Sequence, residues 1–258
     1  VRLWLDKMFI IRKITPTYLL VLSFTATILI GTLLLMLPIS TVGGKISLID
    51  ALYTATSATC VTGLTVKNTA IFFTSFGKLI ILLLIQIGGL GIITFSTFFL
   101  LALGGKLPIS LTDATMTSFT SDLKRDISKT IINILLITFI IEGIGALVLF
   151  IHWVKYFQPI EAFYLSVFHS ISAFCNAGFS LFNNNLESYK GDITVNLVIT
   201  SLIILGGIGY LLIIDLKEWI LKKCTGSDKK ISFHSKIVIV VTLILIILGT
   251  ISIFLLEC

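Results

Sequence analysis

The chain has 258 residues, 56% of them hydrophobic and 12% charged, about half the charged share of an ordinary soluble domain. With a mean hydropathy of +1.08, this argues against a soluble globular enzyme and for an all-α polytopic membrane protein. The net charge is +6, but Lys and Arg fall between apolar runs and form no basic stripe with interleaved aromatics. They read as topology signals, and no nucleic-acid partner is expected.

In chain order, residues 1–17 carry Arg2, Lys7, Arg12 and Lys13 and are expected on the cytoplasmic side. Tyr18 to Ile39 follows without a charge. It is too long for a signal-peptide core and lacks a small-residue cleavage site, so it reads as a first spanning helix. Leu48 to Thr59 is only moderately apolar and, as a helix, would reach about 18 Å. Phe72 to Leu103 spans, closing a first unit over residues 18–103. A cytoplasmic linker covers residues 104–129. Within it, Ser110 to Asp126, with Ser110 and Asp113 as a capping box, reads as an interfacial helix or a solvated linker.

A second unit covers residues 130–216. Thr130 to Ile151 spans, Ile160 to Phe174 is another short segment of about 22 Å, and Ile193 to Leu216 spans. After a linker at 217–236, residues 237–258 hold a fifth spanning segment, Ile237 to Leu256.

With both short segments re-entrant and the N-terminus inside, fourteen Lys and Arg face the cytoplasm and five face outward. If only the first short segment spanned, the balance would reverse to eight against eleven, contrary to the positive-inside rule. Spanning by both leaves thirteen against six, so charge alone does not decide between the two symmetric cases.

An internal repeat decides it. The first short segment ends SATCVTGL (Ser57 to Leu64) and the second SAFCNAGF (Ser172 to Phe179), with Ser, Ala, Cys and Gly at the same offsets. Glycine clusters follow at Gly88-Gly89-Leu90-Gly91 and Gly206-Gly207-Ile208-Gly209. The unit is helix, short helix, Gly-containing loop, helix, and Ile237 to Leu256 reads as the first helix of a third.

A short helix that stops at mid-membrane must return as irregular backbone, tolerated there only where it is buried in protein or lines a water-filled path. The returning segments are Cys60-Val61-Thr62-Gly63-Leu64 and Cys175-Asn176-Ala177-Gly178-Phe179. Each holds one glycine able to take φ > 0 and turn carbonyls towards an axis, as in carbonyl-lined potassium filters. The negative C-terminal end of each short helix would favour a cation. These ten residues are the expected selectivity-filter contribution.

The SATCVTGLTV and SAFCNAGFSLF stretches, with the GGLGI and GGIGY clusters behind them, resemble the Trk/Ktr/HKT superfamily of potassium transporters, and within it the bacterial Ktr membrane subunits. The resemblance covers nearly the whole chain. It implies four helix, pore-helix, helix units around one cation path, each with one filter glycine, matched here by Gly63 and Gly178. Superfamily members with Ser at the first position tend to pass sodium, so Gly63 implies potassium. Also implied are a homodimer in the plasma membrane, a cytosolic ring of nucleotide-binding regulatory subunits, and often sodium-dependent uptake. Potassium is then the transported ion, with no tightly bound cofactor. Two units and one helix are expected to be the N-terminal portion of a longer pore subunit, or to need assembly with another chain.

Blander roles stand beside these. Gly63 and Gly178 could be ordinary loop glycines, and the Gly88 and Gly206 clusters read as close helix-packing sites. Cys60 and Cys175 read as small packing residues without a redox role. Glu142, at mid-helix, is either a functional carboxylate or a structural hydrogen-bond partner. Asp50 and Glu161 lie near the starts of the short helices, where a carboxylate complements the dipole. His152 and His169 match no metal spacing. The alternatives to a potassium pore are a non-conducting remnant or assembly partner and a broken-helix solute transporter. An intramembrane enzyme is the weakest option, since no catalytic set lies at membrane depth.

Overall fold

The computed structural model describes residues 16–91, 127–224 and 231–257. The expected interfacial helix at Ser110 to Asp126, and the parts of the first unit beyond residue 91, lie outside these. The described residues are helical with no β-strand, apart from one isolated bridge between Thr41 and Phe73. The chain divides into two units, Val1–Leu202 and Ile203–Cys258.

The larger unit opens with α1 (Pro16–Leu35), a short 3-10 turn at Pro38–Ser40, α2 (Leu48–Thr59), α3 (Thr69–Phe72) and α4 (Ser75–Gly89). The Ser47 hydroxyl caps α2 by accepting the Asp50 N–H at 3.0 Å. The Thr74 hydroxyl caps α4 in the same way, accepting from Gly77, and donates to Ile39 C=O at 2.6 Å. With the bridge and the Val42 N–H bond to Phe72 C=O, it ties the end of α1 to the start of α4. Helices α1, α2 and α4 pack against one another pairwise. Ala51, Ala55 and Ala58 give α2 a fully buried stripe of small side chains that lets its neighbours approach closely.

The second repeat contains α5 (Ile127–Trp153), α6 (Pro159–Phe174) and the start of α7 (Ile193–Gly207). Helix α5 has two faces at helical spacing. Ile134, Thr138, Glu142, Leu149 and Trp153 are buried, while Leu136, Ile140, Ile144, Leu147 and Ile151 are more than half exposed. Such an apolar outer face suits lipid, not water. Helix α6 packs on α5 and on α4 of the first repeat. The C-terminal end of α5 and the start of α7 are tied by His152 Nε2 and Asp192 Oδ2 at 2.7 Å, in the position where the Thr74 contacts tie α1 to α4. Asp192 also caps α7 through the Val195 N–H at 3.0 Å, which holds its carboxyl below the usual range.

In the smaller unit, the end of α7 is followed by α8 (Tyr210–Cys224) and α9 (Phe233–Glu257). Asp215 on α8 accepts the Ser232 N–H at 2.9 Å just ahead of α9. Helices α5 and α9 are each long and apolar enough to cross a membrane.

The structure corrects two expected elements. Neither Phe72 to Leu103 nor Ile193 to Leu216 is one continuous helix. Helix α4 ends at Gly89 and α7 at Gly207, and Gly91 and Gly209 take φ of +78° and +84°. Left-handed glycines end helices, since they can adopt a φ that stops the hydrogen-bond ladder without a Cβ clash. The clusters therefore act as breaks as well as packing sites.

Candidate ion-selectivity site

Both short helices end in the same turn. Beyond α2, the Cys60 N–H bonds to Thr56 C=O and Thr62 N–H to Ser57 C=O, both at 2.8 Å. Beyond α6, Cys175 bonds to Ile171 at 2.9 Å and Ala177 to Ser172 at 2.7 Å. The next residue after each cysteine is left-handed, Val61 at φ +56° and Asn176 at +58°, and so are the glycines, Gly63 at +81° and Gly178 at +71°. A β-branched residue at positive φ is strained, and such strain persists only where surrounding structure enforces it.

Each chain then doubles back. Lys67 Nζ lies 3.4 Å from Asp50 Oδ2 in the first turn of α2, so the segment after the loop has returned to the level where α2 began. In the second repeat, the Phe182 ring stacks on His169 at 4.7 Å and reaches Phe157, just ahead of α6, at 6.2 Å.

The two loops meet at their glycines. A Cβ on Gly63 would lie 2.7 Å from the Ala177 carbonyl oxygen and 3.2 Å from Gly178 Cα, and a Cβ on Gly178 would lie 3.2 Å from Gly63 Cα. A Cβ has no room at Gly63 and would be tight at Gly178, and at both the left-handed backbone disfavours any side chain. Above this contact is a cavity of about 280 Å³ lined by Gly63, Thr65, Lys67, Gly178, Ser180 and Asn183. Its rim is joined across the repeats by Asn68 Nδ2, which donates to Asn183 C=O at 3.1 Å. Lys67 faces this rim with its charge paired to Asp50 and its ammonium 5.7 Å from the Phe72 ring centre.

The ten expected filter residues are not in equivalent surroundings. Cys60, Thr62 and Leu64 are exposed, with Val61 and Gly63 intermediate, whereas Cys175, Ala177 and Phe179 are buried and Asn176 and Gly178 exposed. The Phe179 carbonyl is turned into the protein, accepting from Ser172 Oγ at 2.7 Å. In the first loop the Ser57 hydroxyl, at the equivalent step, is buried without a partner among the described residues.

The glycine pair of α4 explains part of this asymmetry. A Cβ on Gly88 would run into the Thr59 carbonyl at the end of α2, and one on Gly89 into the Cys175 side chain. Helix α4 thus packs on the end of α2 with one glycine and covers the second loop with the other. Glu142 of α5 reaches the same place. Its Oε1 accepts from Gln86 Nε2 at 3.1 Å and lies 3.9 Å from Cys175 Sγ, and its backbone carbonyl accepts from Ser170 Oγ at 2.6 Å. Its other carboxylate oxygen is buried with no partner among the described residues. Glu142 therefore joins the two repeats behind the second loop. The structural hydrogen-bond role is one of the two expected for Glu142, and the partner the sequence left unnamed is Gln86, the lone amide in the apolar run of α4.

A family model described as TrkH, cation transport protein, matches residues 6–258. The chain belongs to that family. Among the relatives of this TrkH-family chain is the Ktr system potassium uptake protein B of Bacillus subtilis, 41% identical over 98% of the chain and 55% of the relative's length. The potassium/sodium uptake protein NtpJ of Enterococcus hirae is 35% identical over 95% of the chain and 53% of its own length. The Ktr system potassium uptake protein B of Vibrio alginolyticus is 34% identical over 92% of the chain and 51% of its length. The TrkH-family chain thus spans about half the length of these curated relatives.

Proposed function

We propose that the chain is a potassium-uptake subunit of the plasma membrane, multi-pass with a cytoplasmic N-terminus, in which residues 60–64 and 175–179 contribute backbone to a selectivity filter. The observation that carries this is the apposition of Gly63 and Gly178, both left-handed, with no room for a side chain between the two loops. Each loop is entered from the negative end of a short helix, which favours a cation. A ring of carbonyls can replace the hydration shell of an ion, and no chemical step is involved. Potassium as the ion is supported by the names of the Bacillus and Vibrio relatives, and by glycine at position 63 as the superfamily resemblance implies.

Two loops would form half of a four-fold ring. The relatives' greater length supports further units, and so does Cys60, exposed where its counterpart Cys175 lies under Gly89. A second subunit, a cytosolic nucleotide-binding ring and surrounding lipid are the proposed partners, with sodium as a candidate coupling ion.

The test is tracer rubidium uptake with added sodium, in cells lacking their own potassium uptake, by this chain continued beyond Cys258 with the rest of the Bacillus relative. Gly63→Ser should make uptake markedly more sensitive to sodium at matched membrane abundance, whereas Gly43→Ser, where a Cβ meets nothing within 4 Å, should not. An unchanged sodium competition in Gly63→Ser would make Gly63 a packing glycine and remove the filter assignment.

A further inference from the structure

We propose that His169 is a positioning residue for ion selectivity, acting by fixing the outward limb of the second pore loop; this rests on the filter role proposed above. His169 lies in the last turns of α6 and is 2% exposed. Its Nδ1 is 2.8 Å from Leu165 C=O, which can only accept, so Nδ1 carries the proton. Its Nε2 is 3.3 Å from the Leu181 N–H, which can only donate, so Nε2 is the acceptor. The backbone on either side thus selects one neutral tautomer. The same nitrogen is 3.0 Å from Ser180 Oγ, which in turn accepts the Phe182 N–H at 3.1 Å. One imidazole therefore holds residues 180–182, directly after the Gly178-Phe179 step.

Aromatic packing holds the ring itself. Phe182 stacks on His169 at 4.7 Å with 25° between planes, and Trp153 meets it edge-on at 5.3 Å. Trp153, fully buried at the end of α5, also contacts Phe182 and Tyr189 at 5.4 and 5.7 Å. Together with the Ser172 hydroxyl on Phe179 C=O, this leaves the second loop little freedom to move towards or away from the first.

Among the described residues the first loop has no such device. By the repeat offset Thr54 stands where His169 does, and its hydroxyl bonds back to Asp50 C=O at 2.8 Å within α2. Lys67 replaces Phe182 and pairs with Asp50. A filter discriminates against the smaller sodium ion when its carbonyls resist collapsing inward or keep a set number around the ion. The rigidity that supplies this resistance comes from His169 on the second side of the path.

The experiment uses the same completed protein and four variants: His169→Phe keeps ring volume and stacking but removes the acceptor, His169→Gln restores an acceptor without the ring, and Gly178→Ser and Gly43→Ser serve as filter and loop controls. Two quantities are read, sodium competition with rubidium uptake at matched abundance and deuterium uptake at the amides of residues 180–182. His169→Phe should lower the preference for rubidium over sodium about fivefold, the equivalent of roughly one lost hydrogen bond, and expose the Leu181 amide to exchange. His169→Gln should recover most of both. If His169→Phe leaves competition unchanged while Gly178→Ser alters it, the filter assignment stands and the His169 proposal is overturned. If Gly178→Ser also has no effect, the filter assignment itself falls. Unchanged protection of Leu181 in His169→Phe overturns the clamp whatever the transport result.

Discussion

Cys60 and Cys175 occupy the same step of two equivalent turns, yet the first is exposed and the second is buried under Gly89 and beside Glu142. The backbone of the two loops follows one template, with a left-handed residue after each cysteine and a left-handed glycine two residues later. Their surroundings differ. The second loop is tied to α6 by Ser172 and His169 and enclosed by an aromatic cluster, whereas the first has in the corresponding places a Ser57 with no partner among the described residues and a charged Lys67. A short motif thus dictates local conformation, and the neighbours it meets dictate how firmly that conformation is held.

The largest expected effect tests the common element of both loops, the glycine pair of α4. Gly88→Val would drive side-chain atoms into the Thr59 backbone carbonyl, where no flexible group can give way, and should destabilise the protein by about 2 to 3 kcal/mol. Gly43→Ala, in open space, should be nearly neutral. Thermal unfolding in detergent compares them, and equal melting temperatures would show that α4 does not pack on the end of α2.

A reciprocal exchange sharpens the comparison between loops. Asn tolerates the left-handed region and Val does not. Val61→Asn should therefore stabilise by about 1 kcal/mol and Asn176→Val destabilise by a similar amount. Both variants changing stability in the same direction would break the equivalence of the two turns.

A smaller contrast lies one turn earlier. Ser172→Ala removes the bond to Phe179 C=O and should cost about 1 kcal/mol. Ser57→Ala removes a hydroxyl that is buried with no partner among the described residues and should cost little or nothing. Matching losses would mean that the first loop is braced as the second is.

The smallest effect concerns the tie between the end of α5 and the start of α7. The Val195 N–H holds the Asp192 carboxyl below its usual range, so the folded state favours the ionised form. Its contribution is complete above the ordinary carboxylate value near about pH 4 and is lost as pH falls through the lowered folded value. Stability should therefore decline below about pH 4 in the parent and less so in Asp192→Asn, read by hydrogen exchange at the start of α7. An equal decline in both would place the acid sensitivity elsewhere.

Much of this arrangement is legible in the sequence because it follows from local rules. The 12 residues from Leu48 to Thr59 form a helix with those bounds, since Ser47 supplies a cap and the left-handed step beyond Cys60 stops propagation. The repeated Ser, Ala, Cys and Gly offsets mark two equivalent turns. The hydropathy pattern is less informative about Phe72 to Leu103 and Ile193 to Leu216. A run of apolar residues looks the same whether the helix continues or breaks at glycine, and the left-handed Gly91 and Gly209 decide it. The sequence marks Glu142 only as a carboxylate inside an apolar run and gives His169 no role, because the side-chain partners that define them stand 56 and 11 positions away.

From the sequence alone come the membrane class and the repeated short helix with its Gly-containing loop, because hydropathy, capping and turn preference act over a few residues. Tertiary structure alone decides that the two loops meet at Gly63 and Gly178, that Gly89 covers Cys175 while Cys60 stays open, and that one histidine bonds to the second loop while, among the described residues, nothing comparable holds the first. These are contacts between segments far apart in the chain, and their energies depend on distances and burial that no local pattern encodes.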